Sequence, residues 1–419
     1  MRRKVALVMV HTSPLEQAGT GDAGGMNIYV IESAKRMAAM GVDVDIYTRK
    51  VDDAQPEIID FAENIRIVHL NLPTGTKKEE IPSLIPALSL DFKTKVQGKG
   101  YSVIHSHYWI SGKIAMAAAK EFNIPLVHTM HTMARVKNLA LAEGESPEPM
   151  IRVQGESQIV EAADALIANT DAEAASLVSL YDACPDNVRV VAPGVDLYSF
   201  TAEGRDSRQK LNLDPKKLII SFVGRIQPHK GPEVLIRAIN EMMTHNPELR
   251  ANLQVLITGG VSGAKSNEDI RLRELVNWLK LEDVINFLEP ISRDKLPDLY
   301  RASDLVCVPS YSESFGLVAL EAQACGTPVV ASAVGGLRTA VADGISGVLV
   351  DGHDPRAWSS VLSRLLLEPH RRITLSMGAI EHASHFGWDA TARKTLDVYD
   401  NLINHTKNNL DKLDKGAAI

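Results

Sequence analysis

Four loops concentrate the side chains that could do chemistry. Residues 310–321 read S-Y-S-E-S-F-G-L-V-A-L-E and follow an apolar run at 305–309. The pattern predicts a strand running into a helix that starts near Phe315. The first backbone N–H groups of such a helix have no intrahelical acceptor and can hold a phosphate or a hydroxyl. Glu313 precedes the helix, and Glu321 falls about two turns into it, among Leu317, Val318, Ala319, Leu320 and Ala322. A carboxylate on so apolar a helix is costly to bury without hydroxyl or N–H partners. A ribose diol would supply them. The plainer alternative, a capping Glu313 and an exposed Glu321, is disfavoured by those apolar flanks.

The segment F-V-G-R-I-Q-P-H-K-G-P at 222–232 sets Arg225 and Lys230 five residues apart, just before a helix entered at Gly231-Pro232. Two cations at a helix N-terminus suit a pyrophosphate. Two solvated surface charges would explain them equally on charge alone, and the framing by Gly224 and Pro228 favours the ligand. The loop at 11–27, H-T-S-P-L-E-Q-A-G-T-G-D-A-G-G-M-N, holds four glycines in seven residues beside Asp22 and Asn27. Such backbone can approach a ligand closely. Its spacing is not G-x-G-x-x-G, and the second strand ends in Y-T-R rather than an acidic residue, so a nicotinamide dinucleotide is not indicated. The fourth group is V-I-H-S-H-Y-W at 103–109 with H-T-M-H-T at 128–132. No Glu or Cys recurs there at metal-ligand spacing. Polar substrate contacts by Tyr108, His131 and Thr132 fit better than a metal, and His105 and His128 read as buried structural residues.

These loops need a scaffold that brings strand ends together. Strand-like runs at 5–10, 42–48, 65–70, 103–106, 125–129, 165–169 and 188–192 alternate with helical patterns, such as 26–40 closed by Gly41. The pattern restarts with runs at 218–223, 254–258, 284–287, 305–309 and 328–331. Runs this apolar, with little alternation, predict parallel sheets covered on both faces. The expected fold is α/β, with two Rossmann-like domains facing one cleft, and ligands bound outside the carboxyl ends of the strands. A polar stretch puts the boundary near 194–212. It divides the chain into 1–200, 201–387, and a C-terminal segment 388–419 whose helix, 388–405, crosses back onto the first domain before a polar tail.

The totals narrow the partners. The chain has 419 residues with 45 Lys+Arg against 52 Asp+Glu, a net charge of −7. That gives no global attraction to nucleic acid or to an anionic membrane. The three cysteines are scattered, which argues against a disulfide framework or a zinc site. The basic-then-apolar start is too short for a signal peptide and reads as a first strand. No stretch approaches the roughly 20 apolar residues of a membrane span, so the cytoplasm is the expected location.

Taken together, E-S-F-G-L-V-x-L-E, G-R-x-x-x-x-K-G and the early G-G-M-N resemble the retaining glycosyltransferases of family four, which have the GT-B fold. The resemblance covers essentially the whole chain. It extends through V-D-I-Y-T-R, I-H-S-H-Y-W and S-E-S-F-G-L-V-A-L-E-A-Q-A to a subgroup that moves N-acetylglucosamine from UDP-N-acetylglucosamine onto 1D-myo-inositol 3-phosphate, the first committed step of mycothiol synthesis. The related sucrose-phosphate synthases usually carry Gln where this chain has Met26. The resemblance implies acceptor contacts at His11, Asp22, Ala23, Gly24, Gly25, Met26, Asn27, Lys78, Tyr108, Thr132 and Arg152. Lys78 and Arg152 would read as surface charges on their own. Donor contacts are implied at Gln17, Ala18, Gly25, Arg225, Lys230, Ile291 through its backbone, Glu313 and Glu321. His131, Arg225, Lys230 and Glu313 form the implied catalytic set.

A homodimer is expected, and the same resemblance implies a structural magnesium ion held by backbone carbonyls near Tyr300, Arg301, Ser303 and Thr327, with no cofactor needed for catalysis. Charge build-up on the leaving UDP would fall to Arg225, Lys230 and the helix N-terminus. Same-face attack, with the departing phosphate oxygen taking the acceptor proton, is the expected course. The rivals are a family-four transferase with another phosphorylated acceptor such as a sugar phosphate, a UDP-sugar isomerase, and a non-catalytic nucleotide-sugar binding module.

Overall fold

The computed structural model describes residues 2–17, 23–141, 146–204, 206–260 and 267–416, with 406–416 described by backbone alone. Two sheets result. The first orders its eight strands β3-β4-β2-β1-β5-β6-β7-β8, where β1 is Lys4–Val8, β2 Asp43–Thr48, β3 Ile58–Ala62, β4 Ile65–His69, β5 Val103–His107, β6 Leu126–Thr129, β7 Ala165–Ala168 and β8 Val188–Val190. The second orders six strands β11-β10-β9-β12-β13-β14, where β9 is Leu218–Val223, β10 Leu253–Thr258, β11 Ile285–Leu288, β12 Leu305–Val308, β13 Val329–Ser332 and β14 Gly347–Val350. All strand pairs are parallel except β3 with β4.

The central strands of each sheet are buried on both faces, which is why they lack alternation. In β1, Ala6 and Val8 pack into one core with Phe92, Ile110 and Ile159, while Val5 and Leu7 face a second core with Val30, Met37 and Ile46. In β12, Leu305 and Cys307 join Ile236 and Trp358, while Val306 faces Leu320 and Leu337. A period of two thus distributes apolar residues to both sides.

Two strands escape the sequence pattern. β3 alternates exposed and half-buried residues at the sheet edge, so it carries no apolar run. β14 is only four residues, G-V-L-V, also at an edge. The final helix is Trp388–Gly416, longer than the 388–405 expected. It lies along the helix Gly25–Ala39 and returns Trp388, Ala392, Val398 and Tyr399 to the core of the first domain. The two crossings between domains are bonded to each other: Val195 N–H donates to the Phe386 carbonyl at 2.7 Å, and Thr391 Oγ1 donates to the Ala192 carbonyl at 2.8 Å. No helix of the described residues is long and apolar enough to cross a membrane.

Candidate active site

A cleft of about 670 Å³ opens between the carboxyl ends of the two sheets and is lined by loops of both domains. Arg225 and Lys230 come from the loop after β9, Ile291 and Arg293 from the loop after β11, and residues 310–318 from the loop and helix after β12. His11, Gly24, Gly25, Met26, Lys78, Tyr108, His131, Thr132 and Arg152 come from the first domain. The domains meet here closely. A side-chain carbon at Gly24 would lie 3.7 Å from Arg225 Nε, and one at Gly25 would lie 3.4 Å from Leu317 Cδ1.

On the second-domain wall, Lys230 Nζ donates to Glu313 Oε2 at 2.6 Å. Burial pushes the Glu313 carboxyl upward, but Lys230, His229 and Arg225 more than offset this and hold it below the ordinary carboxylate range. The site therefore presents an ionised Glu313 between cations. The Tyr311 N–H donates to the His229 carbonyl at 2.8 Å, and the Tyr311 ring stacks on His353 at 3.8 Å, so this loop is clamped on two sides.

The helix after the loop is Leu317–Ala324. It starts two residues later than its sequence suggests because Gly316 is left-handed, with φ 104°. Glu321 consequently sits one turn in rather than two. It is buried, as its apolar flanks require, but its partners are protein groups. Arg293 Nη1 donates to Oε1 at 2.6 Å, and Tyr300 Oη donates to Oε2 at 3.1 Å. A diol is therefore not needed to make its burial tolerable, although both Glu321 and Arg293 reach the cleft wall.

On the first-domain wall, Arg152 is only 3% exposed, not the surface charge its context suggests. It pairs with Glu156 at 2.7 Å and Glu148 at 2.9 Å, donates to Thr132 Oγ1 at 2.9 Å, and lies 5.0 Å from the Tyr108 ring centroid. The Tyr108 ring packs at 4.7 Å on His11. Lys78, exposed on its loop, reaches the same wall.

His131 also stands on this wall, at φ 60°, and burial pushes its pKa down to about 3. It is neutral at physiological pH. His105 and His128 are buried below the site as expected, with His105 bonded to Tyr399 Oη and Thr129 Oγ1, and His128 to Ser106 Oγ. Among the described residues no group of three or more His, Cys, Asp or Glu is placed to hold a metal.

Some expected residues are elsewhere. Ala23 and Asn27 are buried and do not line the cleft. Asn27 Oδ1 accepts from the Gly24 N–H and Thr12 Oγ1, both at 3.1 Å, and its Nδ2 donates to the Ser13 carbonyl at 2.7 Å. Its side chain shapes the glycine loop. Gln17 is exposed and lines a second, smaller pocket that shares Pro290 and Ile291 with the cleft. Ala18 and Asp22 lie outside the described residues.

Of the carbonyls near Tyr300 expected to hold a cation, that of Tyr300 itself is already committed within the protein. The Tyr300 carbonyl already accepts from Thr327 Oγ1 at 2.5 Å and from the Ser303 N–H at 3.0 Å, which occupies both lone pairs. The Ser303 hydroxyl bonds Ser221 Oγ and the Leu299 carbonyl. The Arg301 guanidinium donates to the Thr201 and Glu203 carbonyls and pairs with Asp298.

The fold adds residues that sequence reading missed. Asn169, Thr170 and Glu173 line the cleft at the start of the helix Asp171–Tyr181. Thr170-x-x-Glu173 is a capping-box spacing and could have been found as such. Thr170 Oγ1 accepts the Glu173 N–H at 3.1 Å, and Glu173 Oε2 accepts the Asn169 N–H at 2.9 Å. Burial pushes the Glu173 carboxyl up to about 7. Gly335 and Gly336 also line the cleft, and the Gly336 N–H donates to the Glu313 carbonyl at 2.8 Å. A side chain at Gly336 would collide with the Ser314 carbonyl and the Phe315 backbone.

Comparison with known proteins agrees with this geometry. Residues 23–198 match the family model Glycosyltransferase Family 4, and residues 204–382 match Glycosyl transferases group 1. The chain is 49% identical to D-inositol 3-phosphate glycosyltransferase 2 of Catenulispora acidiphila, over 96% of this chain and 95% of that protein. It is 48% identical to D-inositol 3-phosphate glycosyltransferase of Kineococcus radiotolerans, covering 96% of each. Among solved structures, the sucrose-phosphate synthase of Thermosynechococcus elongatus superposes with a TM-score of 0.88 at 33% identity, over 96% of this chain and all of that one. WaaG, a glycosyltransferase of lipopolysaccharide biosynthesis, shares the fold at a TM-score of 0.72 and 18% identity, over 94% of this chain and 99% of that one. Two domain models in tandem, near-half identity over almost the full length and two facing parallel-sheet domains establish that the chain belongs to glycosyltransferase family 4 and is a glycosyltransferase of the GT-B fold.

Proposed function

We propose that this enzyme transfers N-acetylglucosamine from UDP-N-acetylglucosamine to 1D-myo-inositol 3-phosphate with retention of configuration, opening mycothiol synthesis. The observation that carries this reading is the 48–49% identity, spread over 96% of the chain, to relatives named for inositol 3-phosphate. The geometry is compatible with it. Arg225, Lys230 and the N-terminus of the helix Leu317–Ala324 line the cleft and would take up negative charge on the departing UDP. The acceptor would lie on the opposite wall, near His11, Lys78, Tyr108, Thr132 and Arg152. His131 would orient the transferred sugar.

Among the described residues, the carboxylates on the cleft wall are Glu148, Glu173, Glu313 and Glu321. Glu148 is paired with Arg152 and Lys137, Glu313 with Lys230, and Glu321 with Arg293. Glu173 is buried and raised to about 7. This supports same-face attack without an enzyme-bound sugar, in contrast to the two-carboxylate scheme of retaining hydrolases. The departing phosphate oxygen then accepts the proton of the attacking hydroxyl. Closure of the domains over the cleft would exclude water as a competing acceptor.

A second reading, a different phosphorylated acceptor, is favoured by the 33% identity to a sucrose-phosphate synthase. UDP release measured across a panel of inositol phosphates and sugar phosphates separates the two. Release dependent on 1D-myo-inositol 3-phosphate supports the proposal, and preference for a sugar phosphate selects the second reading. Rapid loss of UDP-N-acetylglucosamine without any acceptor would indicate an isomerase instead. Lys230→Ala, which removes a cation from the leaving-group side, serves as control and is expected to lower kcat about 100-fold or more.

A further inference from the structure

Each ring nitrogen of His131 has a separate environment. Nε2 lies 2.9 Å from Nδ1 of His107, the last residue of β5. Nδ1 is the nitrogen left for a ligand, on a residue that lines the cleft. Tyr29 packs edge-on against the His131 ring at 5.0 Å, and the His131 backbone lies at φ 60°, in the left-handed region. Burial keeps both imidazoles neutral, so each carries one N–H.

Two arrangements satisfy the bond between the rings. In one, His107 donates from Nδ1 and His131 is protonated on Nδ1. In the other, His131 donates from Nε2, His107 is protonated on its own Nε2, and His131 turns a bare lone pair to the cleft. The environment of His107 Nε2 decides between them. That atom is buried without a hydrogen-bond partner. Its neighbour His105, with ring centroids 4.2 Å apart, has both nitrogens committed to Tyr399 Oη and Thr129 Oγ1. An orphaned N–H in the interior is costlier than an orphaned lone pair. The first arrangement leaves only a lone pair unsatisfied.

We propose that His107 is a positioning residue that fixes the tautomer of His131, so that His131 presents Nδ1–H to the cleft as a hydrogen-bond donor to an oxygen of the transferred sugar. The inference rests on the reading that His131 faces that sugar. It also removes His131 as a proton acceptor at the reacting centre, since its cleft-facing nitrogen already bears a proton. The hydroxyl proton then goes to the departing phosphate, as in the same-face course.

Long-range ¹H–¹⁵N spectra of the full-length, ligand-free enzyme read the tautomer directly, with the His131 signals among the 13 histidines assigned by their loss in His131→Asn. A protonated Nδ1 and a bare Nε2 are expected, and the reverse pattern overturns the proposal. Two variants add a functional readout. His107→Asp places an acceptor where Nδ1 now lies and should pull the His131 proton to Nε2, lowering kcat about 100-fold at unchanged UDP affinity. His107→Asn retains an N–H donor at that place and should stay within about tenfold of the parent kcat. Equal rates in the two variants, or a matching loss of UDP affinity, would contradict it. The spectra hold whatever the acceptor proves to be, so failure of the acceptor assignment and failure of this inference are distinguishable.

Discussion

Arg152 shows how far a residue's role depends on what surrounds it. In the sequence it is one cation in a helical stretch. In the fold it is enclosed by Glu148 and by Glu156, which is 0% exposed. Removing the guanidinium strands buried negative charge, so Arg152→Ala is expected to cost about 3–5 kcal/mol of stability. That loss would mask any acceptor effect. Arg152→Lys keeps the charge without the planar fork and should recover most of the stability while raising the acceptor KM about tenfold. Thermal unfolding and acceptor saturation, measured on both variants, separate the roles. An alanine variant that melts with the parent would exclude a structural role for the ion cluster.

Glu173 makes a pH-dependent prediction. Its carboxyl is raised from an ordinary 4.5 to about 7 by burial. The folded state therefore binds the proton more tightly than the unfolded state. Its contribution is fully present below about 4.5 and is lost as pH rises through 7, a change of about 3 kcal/mol. Glu173→Gln keeps an acceptor for the Asn169 N–H and removes the titration. The variant should be more stable than the parent by up to about 3 kcal/mol at pH 8 and by little at pH 5. Denaturant unfolding at the two pH values tests this, and the same difference at both would rule it out.

At the scale of elements, the helix Leu317–Ala324 depends on a second segment that its own sequence does not announce. The E-S-F-G motif reveals a loop entering a helix, but the loop is held by Gly335 and Gly336, which approach the carbonyls of Glu313 and Ser314. Gly336 has an ordinary φ of −68°, so alanine there is tested by space alone. Gly336→Ala is expected to displace the Ser314–Phe315 backbone and lower donor affinity at least about tenfold, with a loss of no more than about 1–3 kcal/mol in stability. Calorimetric titration with UDP checks it, and unchanged affinity would detach this glycine pair from the donor site. The pair was not legible because close approach of two backbones leaves no periodic pattern. The apolar strands were legible because burial on both faces writes itself into every residue of the run.

At the scale of the molecule, the second domain is tied to the first by its own C-terminus. Trp388, 1% exposed, packs at 5.6 Å on Tyr29, and Tyr399 Oη bonds His105 Nδ1 beneath the cleft at 2.7 Å. Trp388→Ala is expected to cost about 3–5 kcal/mol through the cavity it leaves. Tyr399→Phe keeps the ring and should cost about 1–3 kcal/mol, for the partner lost by His105. Thermal denaturation ranks the two, and an inverted order would mean that packing does not dominate this junction.

The sequence alone determined the two parallel-sheet domains, the crossing helix and the loops after β9 and β12, because hydrophobic periodicity and glycine–cation spacing are local properties. It could not decide which of those polar residues face the cleft. Asn27 and Arg225 look alike in a list of loop residues, yet Asn27 turns inward to Thr12, Ser13 and Gly24 while Arg225 reaches across toward Gly24 of the other domain. Nor could it foresee that Glu321 finds Arg293 and Tyr300, or that His131 finds His107. Those partners are 28, 21 and 24 residues away, and only the packing of separate strand ends against one cleft brings them within hydrogen-bond reach.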